Sequence, residues 1–147
     1  MSRTRTVAAP LQSVWEVLAD FGALSSWAGN VDHSCLLDHG AGTTLLGASR
    51  RVQVGRDALV ERIVDCSAPT TLAYDIEGLP RRLGRVNNRW TLAAAGTGTT
   101  AVTLASTVDI GAKPLARVAE RAICRMMAKQ SDALLAGLAE RVERSRD

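Results

Sequence analysis

The sequence predicts an α+β fold in which about seven antiparallel strands form one sheet and a long C-terminal helix covers it. Three observations carry this reading. From Val31 to Val108, apolar and polar side chains alternate with the period of two expected of strands that have one buried face. After Pro114 the period becomes helical and holds to about Arg144. Between the first strand and the alternating region, Pro10 and Gly29-Asn30 bracket two short helices.

The elements follow in order. Arg3 to Val7 is a first strand. Pro10 opens a helix, since proline is tolerated at the first helical position, and Leu11, Val14, Trp15 and Leu18 follow at helical spacing. Asp20-Phe21-Gly22 breaks it, and a second short helix spans Ala23 to Trp27. Val31 to Leu37 is a strand closed by the Gly-rich stretch His39 to Gly42. Thr43 to Val54 and Ala58 to Asp65 flank the Gly55-Arg56 turn as a hairpin. Leu72 to Glu77, Val86 to Ala93 and Thr100 to Val108 complete the sheet, with turns at Pro69 and at Gly96-Thr97-Gly98. The last segment is rich in Ala, Leu, Arg and Glu, which favour helix. Its apolar stripe contains Leu115, Ala119, Ala122, Ile123, Met126, Met127, Ala133, Leu134 and Leu138. A sheet with one wet face needs its other face covered, and this helix is the element large enough to do so.

Length and composition bound the function. With 147 residues, 46% of them apolar and 22% charged, the chain reads as one globular domain over residues 1–147, able to build a core without metals or disulfides. Aromatics make up 3%, too few for a base-stacking platform, and the net charge of +3 is mild, so no nucleic-acid partner is expected. No apolar run approaches the ~20 residues of a transmembrane helix. The N-terminus lacks the apolar core of a secretory signal, which points to a cytoplasmic protein. Cys35, Cys66 and Cys124 form no CxxC pair and read as reduced, buried, small hydrophobes. His33, Cys35 and His39 have no recognised ligand spacing, so no metal is expected. No P-loop, Rossmann glycine pattern or Ser-His-Asp triad is present, and no cofactor is called for.

The element order, together with particular residues, resembles the START/Bet v 1-like (SRPBCC) superfamily, and within it the polyketide cyclase/dehydrase and lipid transport family. The residues that carry the likeness are Val7-Ala8-Ala9-Pro10, the run Val14 to Phe21, Trp27, Gly42-Thr43, Val60 to Val64, Pro69 with Leu72, and Trp90-Thr91-Leu92. It covers roughly residues 4 to 142. The resemblance implies a helix-grip fold: a curved antiparallel sheet wraps the long C-terminal helix, and an elongated cavity between them takes apolar small molecules. It carries over no catalytic residue, because the superfamily shares architecture rather than a catalytic motif.

Candidate ligand-binding residues follow from strand parity and helix angle. Tyr74, Asn88, Trp90, Leu92, Leu104 and Ser106 share the inward parity. They either fill a core or line a cavity, and a buried Asn88 or Tyr74 needs a polar partner in both cases. Gln130 falls in the middle of the helix's apolar stripe, where it must meet a sheet-side partner or a ligand. Met126 and Met127 suit a deformable wall. The set is Trp27, Tyr74, Asn88, Trp90, Leu104, Ser106, Met126 and Gln130. Arg50 and Glu61 sit opposite each other on a predicted hairpin and read as a surface pair. Lys113, Arg117, Arg121, Arg125 and Lys129 recur every four residues, either as a solvated face or as a ridge for transient contact with an anionic surface such as lipid headgroups.

Two functions of different class are compatible with this pattern. One is binding of a hydrophobic small molecule: a lipid, an isoprenoid or a polyketide-like compound. The other is an aromatase/cyclase-like enzyme catalysing cyclisation or dehydration, for which Tyr74, Glu61, Arg50 and His33 are the available acids and bases. The oligomeric state stays open between monomer and homodimer.

Overall fold

The structure is a computed structural model that describes residues 1–40, 44–79, 85–109 and 117–144, with the side chains of 109 and 117–120 outside that description. The described elements are β1 (Ser2–Val7), α1 (Leu11–Ala19), a 3-10 helix (Phe21–Ser26), β2 (His33–Asp38), β3 (Ser49–Val54), β4 (Asp57–Ser67), β5 (Thr71–Glu77), β6 (Arg85–Gly96), β7 (Thr99–Asp109) and α2 (Arg117–Arg144). The seven strands form one curved antiparallel sheet in the order β1-β7-β6-β5-β4-β3-β2. All but the β1–β7 pair are neighbours in sequence.

The alternation in the sequence explains the pairing of the middle strands. In β5 and β6, Tyr74 lies opposite Asn88 and Leu72 opposite Trp90. In β6 and β7, Asn88 lies opposite Ser106 and Trp90 opposite Leu104. All six are buried on the inner face, as their parity predicts. The Gly55-Arg56 turn is present, with Gly55 at a positive φ of 59°.

The boundaries shift where turn chemistry overrides the pattern. Residues 44–48 are not strand, although Thr43 to Val54 reads as one. Gly47 takes a φ of 85° and Ala48 N–H donates to the Leu45 carbonyl at 2.9 Å, closing a turn just before β3. Pro10 sits one residue ahead of α1, at its N-cap with an extended ψ of 150°. The second short helix is a 3-10 helix that begins at Phe21 and ends before Trp27. Pro114 and the rest of 110–116 lie outside the described residues.

One core cluster joins these parts. Val7, Val14, Trp15, Leu18 and Phe21 meet Trp90, Val102 and Leu104 of the sheet and Leu134, Leu135, Leu138 and Val142 of α2. Among the described side chains of α2, the buried ones lie from Ser131 onward. Ala122 and Met126 are exposed, contrary to an apolar stripe running the helix's length. The helix packs on α1, β1 and β7. Gly137 lets the helix approach closely: a Cβ there would fall 2.3 Å from the Trp27 carbonyl oxygen.

The cysteine expectation is also corrected. Cys35 and Cys124 are exposed and Cys66 is half-buried. Cys35 lies on the edge strand β2, and Cys124 on the part of α2 that does not reach the core. Both histidines are exposed, and among the described residues no group of three or more His, Cys, Asp or Glu side chains could hold a metal ion. No described helix is long and apolar enough to cross a membrane.

Candidate functional site

Inward-facing residues of β3 to β7 form the floor of a cavity of about 330 Å³. Val52 and Val54 come from β3, Leu59 and Glu61 from β4, Tyr74 and Ile76 from β5, Val86 and Asn88 from β6, and Ser106 and Val108 from β7. The roof is the stretch of α2 from Ile123 to Leu134, through Ile123, Met126, Met127, Gln130, Ser131 and Leu134. Leu24, Asn30 and Val31 close one side. The exposed half of α2 and the cavity are one feature: where the helix leaves the core it stands over the hollow. A mostly aliphatic wall with a few placed polar groups is the usual make-up of a small-molecule site, and the volume is at the small end of the range for such sites.

Polar groups on the floor form a row. Ser106 Oγ donates to Asn88 Oδ1 at 2.7 Å, and Asn88 Nδ2 donates to the Tyr74 hydroxyl oxygen at 3.4 Å. Trp90 Nε1 donates to the same oxygen at 3.3 Å. Tyr74 is 1% exposed. Burial pushes its phenol above the ordinary tyrosine value. The Glu61 charge adds to the rise, and the Arg50 charge opposes it.

The sign of the resulting pH dependence follows from proton counting. Near pH ~10 an unfolded chain loses its phenol proton while the folded chain keeps it, so stability is lost as pH rises past about 10. Tyr74 is the chain's single tyrosine, so ultraviolet phenolate absorbance reports this residue alone. Ionisation is expected to appear only together with alkaline unfolding. A phenolate signal near pH ~10 in a protein that keeps its native circular dichroism would show the hydroxyl to be wet instead.

Arg50 and Glu61 correct the reading of a surface pair. They are 3% and 6% exposed. Arg50 Nε and Nη2 both lie 2.7 Å from Glu61 Oε1, and Nη1 donates to the Phe21 carbonyl at 2.9 Å. The guanidinium stacks 3.7 Å from the Phe21 ring centroid and 4.8 Å from that of Tyr74. Glu61 lines the cavity and Arg50 lies behind it. The sequence did hold a signal. Residues of the same parity on the same strands, Val52 and Val54 for Arg50, Leu59 and Ile63 for Glu61, all face inward.

The other candidates separate into lining and non-lining residues. Tyr74, Asn88, Ser106, Met126 and Gln130 line the cavity. Trp90 and Leu104 lie in the core outside that lining. Trp27 is half-buried, edge-on to Trp90 at 6.1 Å, and borders a separate polar cleft with Ser25, Gly137 and Arg141. Gln130 is exposed rather than buried mid-stripe, and its Oε1 accepts from Asn30 Nδ2 across the cavity's side. Asn30 Oδ1 is buried without a partner among the described residues. Sequence reading missed Asn30 because Gly29-Asn30 looks like a helix stop. His33 is exposed on β2. Arg121, Arg125 and Lys129 are exposed, while Lys113 and the Arg117 side chain lie outside the described residues.

Comparison with known proteins places this architecture. The Zhui aromatase/cyclase from a Streptomyces species superposes with a TM-score of 0.82 at 22% identity, over 100% of this chain and 94% of that one. A protein from Thermobifida fusca gives 0.79 at 25% identity, over 98% and 93%. A START superfamily protein from Mycobacterium smegmatis gives 0.74 at 15% identity, over 98% and 97%. Among curated proteins none matches the chain in sequence. A family model described as polyketide cyclase / dehydrase and lipid transport matches residues 1–143, and the chain therefore belongs to that family.

Proposed function

We propose that this protein holds an apolar small molecule, a lipid, isoprenoid or polyketide-like compound, in the cavity between the sheet and the first half of α2. The observation that carries this is the hollow itself. Val52, Val54, Leu59, Ile76, Val86, Val108, Ile123 and Met127 surround it, and a short polar row crosses its floor. Removal of ligand surface from water supplies the affinity, at roughly 25 cal/mol per Å² of apolar area, and the row sets orientation.

An apolar fluorescent dye is expected to bind with one-to-one stoichiometry. Val108→Trp, which places an indole in the hollow from β7, is expected to abolish binding while the melting temperature stays within a few degrees. Equal dye binding by the variant and the parent would place the ligand elsewhere.

The second reading, an aromatase/cyclase-like catalyst of cyclisation or dehydration, is favoured by Glu61 and Tyr74 on one wall, a carboxylate and a phenol beside the same space. Such a site works by holding a reactive chain in a productive fold beside a proton acceptor and a proton donor. Chromatography with mass analysis separates the two: a carrier returns its ligand unchanged, a cyclising enzyme returns an isomer of equal mass and different retention, and a dehydrating enzyme returns it lighter by one water.

A further inference from the structure

We propose that the cavity selects an uncharged apolar molecule that offers one acceptor oxygen to the Tyr74 hydroxyl, and that Glu61 turns away carboxylates. This rests on the reading that the cavity holds a small molecule and specifies which ones.

The first half follows from the hydrogen-bond capacity of a phenol, which has one proton to donate and two lone pairs to accept with. Both lone pairs of Tyr74 are engaged, by Trp90 Nε1–H and by Asn88 Nδ2–H. Asn88 is held in that orientation because Ser106 donates to its Oδ1. The row is therefore polarised in one direction, toward the Tyr74 oxygen, and leaves that residue only its proton. Among the described residues none accepts it. Tyr74 is 1% exposed and lines the hollow, so the acceptor that completes the row is a ligand oxygen. The raised phenol pKa keeps the proton in place throughout the physiological range.

The second half follows from the charges on the wall. Among the described lining residues, Glu61 and Asp57 are the ionisable acids, and no lysine, arginine or histidine joins them. Arg50 is committed: Nε and Nη2 are held by Glu61 Oε1 and Nη1 by the Phe21 carbonyl. Both arginine contacts fall on Oε1, so no described residue bonds Glu61 Oε2. A ligand carboxylate at Tyr74 would set its lone pairs against those of Glu61, with no cation in the lining to offset its desolvation. A ketone or ester meets the same donor without that conflict. At long range the Arg50–Glu61 pair is nearly neutral, so the discrimination is local.

Competitive displacement of a bound apolar dye at pH ~8, where carboxylates are ionised, tests both halves with decan-2-one, decane and decanoate. The expected order is ketone tightest, then hydrocarbon, with decanoate weakest; the ketone leads by roughly tenfold, the worth of one buried hydrogen bond. Tyr74→Phe is expected to bring the ketone down to the hydrocarbon's affinity and leave the hydrocarbon unchanged. Glu61→Gln, which keeps an oxygen for Arg50, is expected to raise decanoate affinity by about tenfold or more. Should either variant fail to fold, the carbonyl stretch of decan-2-one bound to the parent protein decides. A shift to lower frequency shows the hydrogen bond, and an unshifted band overturns the Tyr74 assignment. Decanoate binding tighter than the ketone in the parent protein overturns the charge selection. If the dye binds but Tyr74→Phe leaves the ketone-to-hydrocarbon ratio unchanged, the selection fails and the holding function stands. If neither dye nor any of the three compounds binds, the holding function itself fails.

Discussion

A chain ending at Gln130 is expected to lose its cooperative thermal transition. The residues removed include Leu134, Leu135, Leu138 and Val142, each at most 8% exposed in the main core. Complete burial of such a side chain is worth roughly 1.5–3 kcal/mol, so the four together represent about 6–12 kcal/mol. The whole net stability of a domain is about 5–15 kcal/mol. The exposed Arg3–Asp132 ion pair would be lost as well, and it adds little. With this half of α2 gone, Val7, Val14 and Leu104 would lose their cover. Heating followed by circular dichroism should show a broad, non-cooperative change. A sharp transition near the parent's midpoint would mean that the sheet's inner face is covered from elsewhere.

The same helix shows where sequence patterning succeeds and where it does not. Its helical period was readable from Pro114 to Arg144, but the apolar stripe drawn through Ala122, Met126 and Leu138 treats the helix as uniformly buried. Alanine and methionine are compatible with both a core and a cavity roof, so the pattern does not show where the helix leaves the core. Leucine and valine concentrated after residue 133 mark the buried half. The middle strands were the easiest part. Tyr74, Asn88, Trp90, Leu104 and Ser106 fall on one face because β5, β6 and β7 pair in uninterrupted register at those positions.

Strands β3 and β4 were harder for two physical reasons. Val60 and Val64 are apolar yet face away from the inner wall, while Arg50 and Glu61 are charged and face it. In addition, a register shift between Ile63 and Asp65 breaks the period of two along β4. A rule that sends charges outward therefore misplaces both members of the pair. Opposite charges at Arg50 and Glu61 on paired strands gave the contact correctly, since the two residues are direct register partners. What the rule lacks is the burial, which depends on Phe21 and Tyr74 closing over the guanidinium from elsewhere in the chain.

That burial makes Glu61→Ala the most damaging single substitution expected near the cavity. Arg50 would keep its charge at 3% exposure with only the Phe21 carbonyl left as a hydrogen-bond acceptor. Breaking a buried pair by removing one partner costs about 3–5 kcal/mol, because the stranded charge stays desolvated. A surface pair would cost ~1 kcal/mol or less, so the size of the loss distinguishes the two placements. Chemical denaturation should show the midpoint falling with little change in slope, as a loss of stability without a change in surface exposed on unfolding requires. The double replacement Arg50→Met with Glu61→Leu is expected to recover most of the loss, since it removes both charges and keeps apolar volume against Phe21 and Tyr74. If Glu61→Ala costs under ~1 kcal/mol, the pair is solvated and Glu61 cannot stand as a desolvated acceptor on the cavity wall. If the single change is costly and the double change is not, the pair contributes little net stability, and selection against carboxylates, as proposed for the cavity, is what Glu61 on its lining would supply.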